Sequence, residues 1–410
     1  MKEFFNVLDI ASILALKERF DQVGSESVKL TEALGRTLAE DVTAPSDLPG
    51  FDRATMDGFA VQAASTFGAS EASPAYLEVV GTVAMGRSPE FAVGPGQAAQ
   101  IATGGMLPPG SDSVLMVEHS DTVGDNTIEA HRSVAPGQHT VAKDEDVAKG
   151  QLLLAKGRSV RAQEIGLLAA GGVCAVTVYR YPRVGVISTG DEVVPVDVKP
   201  ALGQVRDINT HTLCALVQGA GARAISYGIV GDHYDDLYST CTKALDETDM
   251  VLISGGSSVG FRDLTLGALE ALDRSRVLAH GISMRPGKPT ILVQNGAKAI
   301  WGLPGHVASA MVVFMQVVRP FLDHLAGRSP KGPIHIKARL SRNLASVQGR
   351  LDFVRVRLGQ VEGETIAEPV LGQSGLIHTM VDADGLVAIG MNSEGLDKGA
   401  QVDVMLFLPH

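Results

Sequence analysis

The sequence predicts a multidomain α/β and β protein. It has a central doubly wound, mostly parallel α/β domain, a β-rich domain inserted in the N-terminal half, and a small all-β C-terminal domain. Three observations carry this. From 183 to about 326, apolar strand-like runs alternate with helical segments, the pattern of a mostly parallel sheet with helices on both faces. From 51 to about 144, and again beyond 333, short β-like runs are split by turn signals. At 410 residues the chain exceeds a single core, which sets about two to four domains.

Taken in order, residues 8–22 read as an amphipathic helix, with Leu8, Ile10, Ile13, Leu14 and Phe20 opposite Lys17, Glu18 and Asp21. A second helix is expected at 31–39, with Thr31 as its N-cap, before Pro45 and Pro49 break the chain. Strands follow at Tyr76–Val80, Ala98–Ala102, Ser113–Val117 and Thr127–Ala130. A helix at 161–170 and a strand at Ala175–Tyr179 come next, and the segments flanking 51–144 read as one domain around an insertion. The alternating region holds strand 184–188, a helix from Asn209 to Gly219, strand Ala224–Ile229, a helix to about Glu247, strand 250–254, a helix at 264–272 and a last helix from about His306 to Ala326. Arg328-Ser-Pro-Lys-Gly-Pro333 reads as a linker to strands at Ile334–Leu340, Asp352–Leu358, Leu386–Ile389 and Gln401–Leu408. Pattern alone leaves sandwich and barrel open for this last unit. The expected divisions are 1–50 with 145–182, 51–144, 183–328 and 329–410.

Composition excludes several classes. Hydrophobic content of 45% with 20% charged residues is that of a globular chain. A net charge of −11 and sparse aromatics disfavour nucleic-acid binding. Cys174, Cys214 and Cys241 are far apart and form no CxxC, so neither a disulfide framework nor a cysteine zinc site is expected. No HExxH occurs. The apolar run Ile10–Leu16 meets Lys17-Glu18-Arg19 without a cleavage pattern, and Val307–Val318 is shorter than the ~20 residues a span requires. The expectation is a cytoplasmic protein with no membrane contact.

The chemistry concentrates where strand-like runs meet loops. In open α/β sheets, ligands bind in the crevice beyond the carboxyl ends of strands. Gly255-Gly-Ser-Ser-Val-Gly260 lacks Cβ bulk, so its backbone N–H groups can approach an anion, with the N-terminus of the following helix behind them. It is neither a Walker A loop nor a GxGxxG, and a plain βα turn is the competing reading. Arg285 and Lys288, stiffened by Pro286 and Pro289, suit a phosphate or another oxyanion; a solvated surface pair is the alternative. Glu192 and Asp263 are candidate Mg²⁺-linked carboxylates, because carboxylate and phosphate otherwise repel. Asp191 reads as a helix cap, Asp57 alone as part of an Asp-Gly turn, and His306 alone as structural.

Together these segments resemble the molybdopterin molybdenumtransferases, the gephyrin E-domain family. The matching stretches are PGFDRATMDGFAV (49–61), TGGMLPPGSDSVLMVE (103–118), DEDVAKG (144–150), ISTGDEV (187–193), ISGGSSVGFRD (253–263), MRPGKP (284–289), GLPG (302–305) and GRLDF (349–353). The resemblance implies a molybdopterin-binding-like central domain and an elongated homodimer of four-domain subunits. The active site would lie between the α/β domain of one subunit and the N-terminal domains of the other. It implies a reaction of adenylylated molybdopterin with molybdate, assisted by Mg²⁺, that yields molybdenum cofactor and AMP. An adenylyltransferase and molybdoenzyme chaperones are implied as further partners.

Carried over position by position, Asp57, Asp146, Glu192 and Asp263 would be the catalytic carboxylates, with Asp57, Glu192 and Asp263 holding the metal. Thr189, Gly190, Asp232, Gly255, Gly256, Ser257, Ser258, Gly260 and Pro304 would bind the pterin and its phosphate. Arg285, Lys288, Ser309, Arg350 and Ser374 would hold molybdate. The chain departs from the family in reading His306-Val307 for the usual Asn-Pro, Asp232-His233 for Asp-Asp, and Gln373-Ser374-Gly375 for a Gly-Ser order. These departures raise a tungstate preference as one alternative. A stand-alone adenylyltransferase and a non-catalytic scaffold of the same fold are the others. The N-terminal motifs and the β domain argue against the first, the retained charges against the second.

Overall fold

A computed structural model describes residues 7–255, 259–330 and 332–407, without the side chains of 259–263. The N-terminal region holds two β units. Ser25–Lys29 pairs with Ala175–Tyr179, and Val28, Leu38, Leu154, Leu168, Val176 and Val178 share one core, so residues before and after the 51–144 segment pack together. Between them, Gly58–Val61 lies within a six-stranded sheet that also contains Ala75–Thr82, Gln97–Ile101, Ser113–Met116, Ser120–Val123 and Thr127–Ala130. The Ser120–Val123 strand carried no clear sequence signal.

The first helix is shorter than its periodicity suggests. Asp9 accepts a hydrogen bond from Ser12 N at 2.7 Å and opens an α-helix at Ile10–Ala15, which tightens into a 3₁₀ turn at Leu16–Arg19. The apolar face does its predicted work: Ile13 and Phe20 are buried, and Phe20 meets Phe321 at 5.6 Å. The helix expected at 31–39 does not form. Only Leu30–Glu32 makes a 3₁₀ turn, and Thr31 caps nothing. Gly35 takes φ +75°, and Thr37 and Leu38 then bridge to Ser159 and Val178, so the pull of the core on Leu38 overrides helix propensity.

The central unit contains β1 (Arg183–Thr189), α1 (Asn209–Gly219), β2 (Arg223–Val230), α2 (Tyr234–Glu247), β3 (Met250–Ser254), α3 (Val259–Ala271), β4 (Ser275–His280), β5 (Ile291–Asn295), β6 (Lys298–Leu303) and α4 (Val307–Val313). Strand order is β2-β1-β3-β6-β5-β4. The pairs β1–β2, β1–β3 and β3–β6 are parallel, whereas β5–β6 and β4–β5 are antiparallel. The sheet is therefore mostly parallel with an antiparallel edge. Near-continuous burial along β1 and β3 fits strands covered on both faces. One face packs α1 and α4 through Leu213, Val217 and Val312, and the other packs α2 and α3 through Leu237, Cys241 and Leu269. The last helical run is interrupted: α4 passes into a π turn at Phe314–Val318 before an α-helix at Arg319–Leu325. Pro320 follows that wide turn and has no N–H to continue ordinary i→i−4 bonding.

The C-terminal unit is a closed barrel of five strands. β7 (His335–Leu340), β8 (Leu351–Val361), β9 (Glu364–Pro369), β10 (Gly385–Ile389) and β11 (Gln401–Leu406) run in the order β8-β9-β7-β11-β10, and β10 pairs back onto β8. Closure removes both sheet edges around a core of Leu340, Val356, Ala367, Val387 and Val404. Among the described residues, no helix is long and apolar enough to cross a membrane.

Candidate active site

The order in which strands are added reverses at β1. The chain goes from β1 outward to β2, then returns to place β3 on the other side of β1. The carboxyl ends of β1 and β3 therefore flank a topological switch point, where open α/β sheets form ligand crevices. Register aligns three strand ends: Ser188 pairs with Ser254 and Ser254 with Leu303, so Thr189, Gly255 and Pro304 leave the sheet side by side. Gly255 is required there. A Cβ on it would lie 1.9 Å from Thr189 Oγ1 and 2.4 Å from the Thr189 carbonyl. Thr189 Oγ1 and Ser254 Oγ are buried without a hydrogen-bond partner among the described residues. Unpaired buried hydroxyls cost free energy unless a neighbouring group or a ligand completes them, and both of these stand at the strand ends.

Carboxylates crowd the same strand ends. A Cβ on Gly190 would fall 2.7 Å from Glu192 Oε2, which shows how closely that side chain folds back over the β1 terminus. Asp191 Oδ1 accepts from Asp232 N at 3.0 Å, so Asp191 braces the loop after β2 and caps no helix, contrary to expectation. Partial burial, then the charges of Asp191 and Glu192, push the Asp232 carboxyl above its ordinary value. Next to this group, Asp207 accepts from Ser188 Oγ and Thr210 N, both at 3.0 Å, and fixes the start of α1. Asn209 Nδ2 then donates to the Gly305 carbonyl at 2.7 Å. Sequence reasoning assigned no role to Asp207 or Asn209; the Asp three residues before Thr210 was the available signal.

The cations come from two domains. The short strand Met284–Arg285 leaves the central unit and pairs in parallel with the start of β8, setting Met284 opposite Leu351 and Arg285 opposite Asp352. Asp352 is buried and accepts from Arg350 Nε at 2.8 Å and from Ser346 Oγ at 2.9 Å. Arg285 Nη1 stands 3.8 Å from the same Asp352 oxygen that accepts from Ser346. Lys288 is exposed on the same loop, where its carbonyl accepts from Ile282 N at 3.0 Å. The barrel also reaches α4: Ala308 N donates to the Ser374 carbonyl at 3.0 Å, which places Ser374 against the helix turn carrying buried Ser309. His306, the N-cap residue of α4, is exposed beside Gly375.

Asp57 and Asp146 lie on a separate pair of loops. Asp57 accepts from Thr103 N and Oγ1 at 2.7 and 2.8 Å, and these bonds hold its carboxyl below its ordinary value. Asp146 is exposed, with its N–H on the Leu48 carbonyl. Asp144 N to Pro49 O and Lys143 N to Asp52 Oδ1 stitch the two loops together. Thr103, which holds the Asp57 carboxylate, and Leu48, which holds the Asp146 backbone, belong to the N-terminal region. Gly256, Ser257 and Ser258 lie outside the described residues, as do the surroundings of Gly260 and the side chain of Asp263. Among the described residues, no group of three His, Cys, Asp or Glu side chains could hold a metal alone. The oxygen-only donors at the strand ends still fit Mg²⁺, which keeps waters and substrate phosphates as ligands.

Three family models match in sequence order. They are the MoeA N-terminal region (domain I and II) over 8–172, the probable molybdopterin binding domain over 185–324, and the MoeA C-terminal region (domain IV) over 337–407. A molybdopterin molybdenumtransferase from Nostoc sp. is 34% identical, covering 98% of this chain and 93% of its own length. A putative molybdopterin biosynthesis protein from Methanocaldococcus jannaschii is 36% identical over 93% of this chain and 92% of its own. Two crystal structures of the molybdopterin biosynthesis MoeA protein from Pyrococcus horikoshii, 39% and 30% identical, superpose with TM-scores of 0.82 and 0.85. Each covers 98% of this chain and is covered in full. With three family models in order and a transferase relative aligned along almost its whole length, the chain belongs to the MoeA family of molybdenum cofactor biosynthesis transferases.

Proposed function

We propose that the protein inserts molybdate into adenylylated molybdopterin and releases AMP, with Mg²⁺ assisting. The observation that carries this reading is the meeting of Arg285 and Arg350, from two domains, around one buried carboxylate. Two guanidinium groups offer a small tetrahedral dianion charge-assisted donors in a fixed geometry. Thr189, Gly190, Gly255 and Pro304, at the strand ends, would bind the pterin phosphate. Arg285, Lys288, Arg350, Ser309 and Ser374 would hold the oxyanion. Mg²⁺ would be held by Asp57, Glu192 and Asp263 and would neutralise charge on the pyrophosphate link. The chain's own part is to position two anions and offset their repulsion. Asp57 and Asp146 would come from the second subunit of a homodimer.

The test is AMP release by purified protein given adenylylated molybdopterin, Mg²⁺ and molybdate. Release should require molybdate and be lost in Asp57→Ala and Asp263→Ala. No AMP with molybdate or tungstate removes the assignment. His306 beside the Ser374–Gly375 loop favours one finer reading, a preference for tungstate. Equal insertion of both oxyanions in competition would sink it.

A further inference from the structure

We infer that Asp352 is a positioning residue of the oxyanion site, holding Arg350 and Arg285 from two domains in one fixed geometry. The inference rests on the proposed oxyanion role of the two arginines and deepens it. Three observations support it. First, backbone pairing fixes the relation of the loops: Leu351 N donates to the Ser283 carbonyl at 3.0 Å, and Arg285 sits opposite Asp352 in a parallel ladder. Opposed residues on neighbouring strands project to the same face, so Arg285 and Asp352 share a side. Second, Asp352 is only 4% exposed, and a carboxylate so buried persists only when paired and hydrogen-bonded. Its oxygens accept from Ser346 Oγ at 2.9 Å and from Arg350 Nε at 2.8 Å, with Arg350 Nη2 at 3.5 Å. Third, those contacts engage one edge of the Arg350 fork and leave the Nη1 donors for another acceptor. Arg285 approaches only to 3.8 Å and is 64% exposed, so it too keeps donors for a ligand.

One carboxylate between two guanidinium groups leaves a net charge of +1 in the cluster. That is enough to attract a dianion while limiting the repulsion between the arginines in the empty site. The arrangement makes a prediction whose sign separates two roles. If Asp352 merely repelled the oxyanion, neutralising it would tighten binding. If it positions the arginines, Asp352→Asn loses its grip on the fork and binding weakens despite the added positive charge.

The experiment is calorimetric titration of molybdate and of tungstate into the purified full chain, wild type against Asp352→Asn and Ser346→Ala. Asp352→Asn should raise the Kd for either oxyanion by about tenfold or more, as loss of one partner of a buried charge pair does. Ser346→Ala removes one part-buried bond to Asp352. It should raise the Kd by about threefold and should remain folded where Asp352→Asn fails to. Asp352→Glu, which keeps the charge, should recover part of the loss. Wild-type binding with unchanged or tighter binding in Asp352→Asn, or in Ser346→Ala if only that variant folds, overturns the inference alone. No oxyanion binding by the wild type removes the oxyanion reading and this inference with it.

Discussion

A single methyl group on Gly255 closes the strand-end crevice. The added carbon would collide with Thr189 Oγ1 and its carbonyl, and neither can retreat from the end of a buried strand. Gly255→Ala should therefore weaken pterin-phosphate binding by about tenfold or more, read as a Kd by fluorescence titration with the adenylylated pterin. Glu164 tests stability at the same scale. It is 2% exposed and accepts from Arg158 and Arg161, whose guanidinium groups hold its carboxyl far below the ordinary Glu value of 4.5. A depressed folded pKa stabilises the fold above the unfolded value, and that stabilisation fades as pH falls from 4.5 toward the folded value. Both arginines are about half exposed, so Glu164→Gln should cost about 1–3 kcal/mol at pH 7. Denaturant melts across pH should show the gap to wild type shrinking below pH 4.5.

At the scale of elements, β6 is anchored on the helix that follows the π turn. Trp301 is fully buried and meets Phe321 edge-on, with ring centroids 5.0 Å apart. Phe321 also touches Phe20, so one ring ties the N-terminal helix to the central sheet. Phe321→Ala should cost about 3–5 kcal/mol through lost burial and the cavity left behind. Trp301 is the only tryptophan, so its fluorescence reports the unfolding of this unit directly. An unchanged fluorescence-detected midpoint would mean the site collapses around the cavity. The same elements mark the limits of local pattern. The helix at 209–219 and the strands at 175–179 and 250–254 were legible residue by residue, because each carries its own period or apolar run. The helix expected at 31–39 was not, because the contact that decides it joins Leu38 to Val178.

For the whole molecule, the two groups of expected catalytic residues sit in different regions of one chain. Thr103 and Leu48 hold Asp57 and Asp146 in the N-terminal region, while the strand-end crevice belongs to the central unit and its cations are shared with the barrel. A homodimer with crossed sites predicts complementation. Asp57→Ala and Arg285→Ala, each inactive alone, should recover roughly a quarter of wild-type AMP release when dissociated and reassociated together, because half the dimers are mixed and each mixed dimer keeps one intact site. No recovery, with mixed dimers demonstrated by differential tagging, would place both residues in the same subunit's site. The sequence by itself determined the α/β alternation, the β-rich flanks, the strand-end loops and the ordered motifs of the family, since all are written in local periods and contiguous stretches. Only the tertiary structure decided that the central sheet ends in an antiparallel edge, that the last unit closes as a barrel, and that Asp191 braces a loop. It alone brought Asp352 between Arg285 and Arg350. Strand pairing and the meeting of charges from separate domains depend on contacts between residues far apart in the chain, and no local period encodes those.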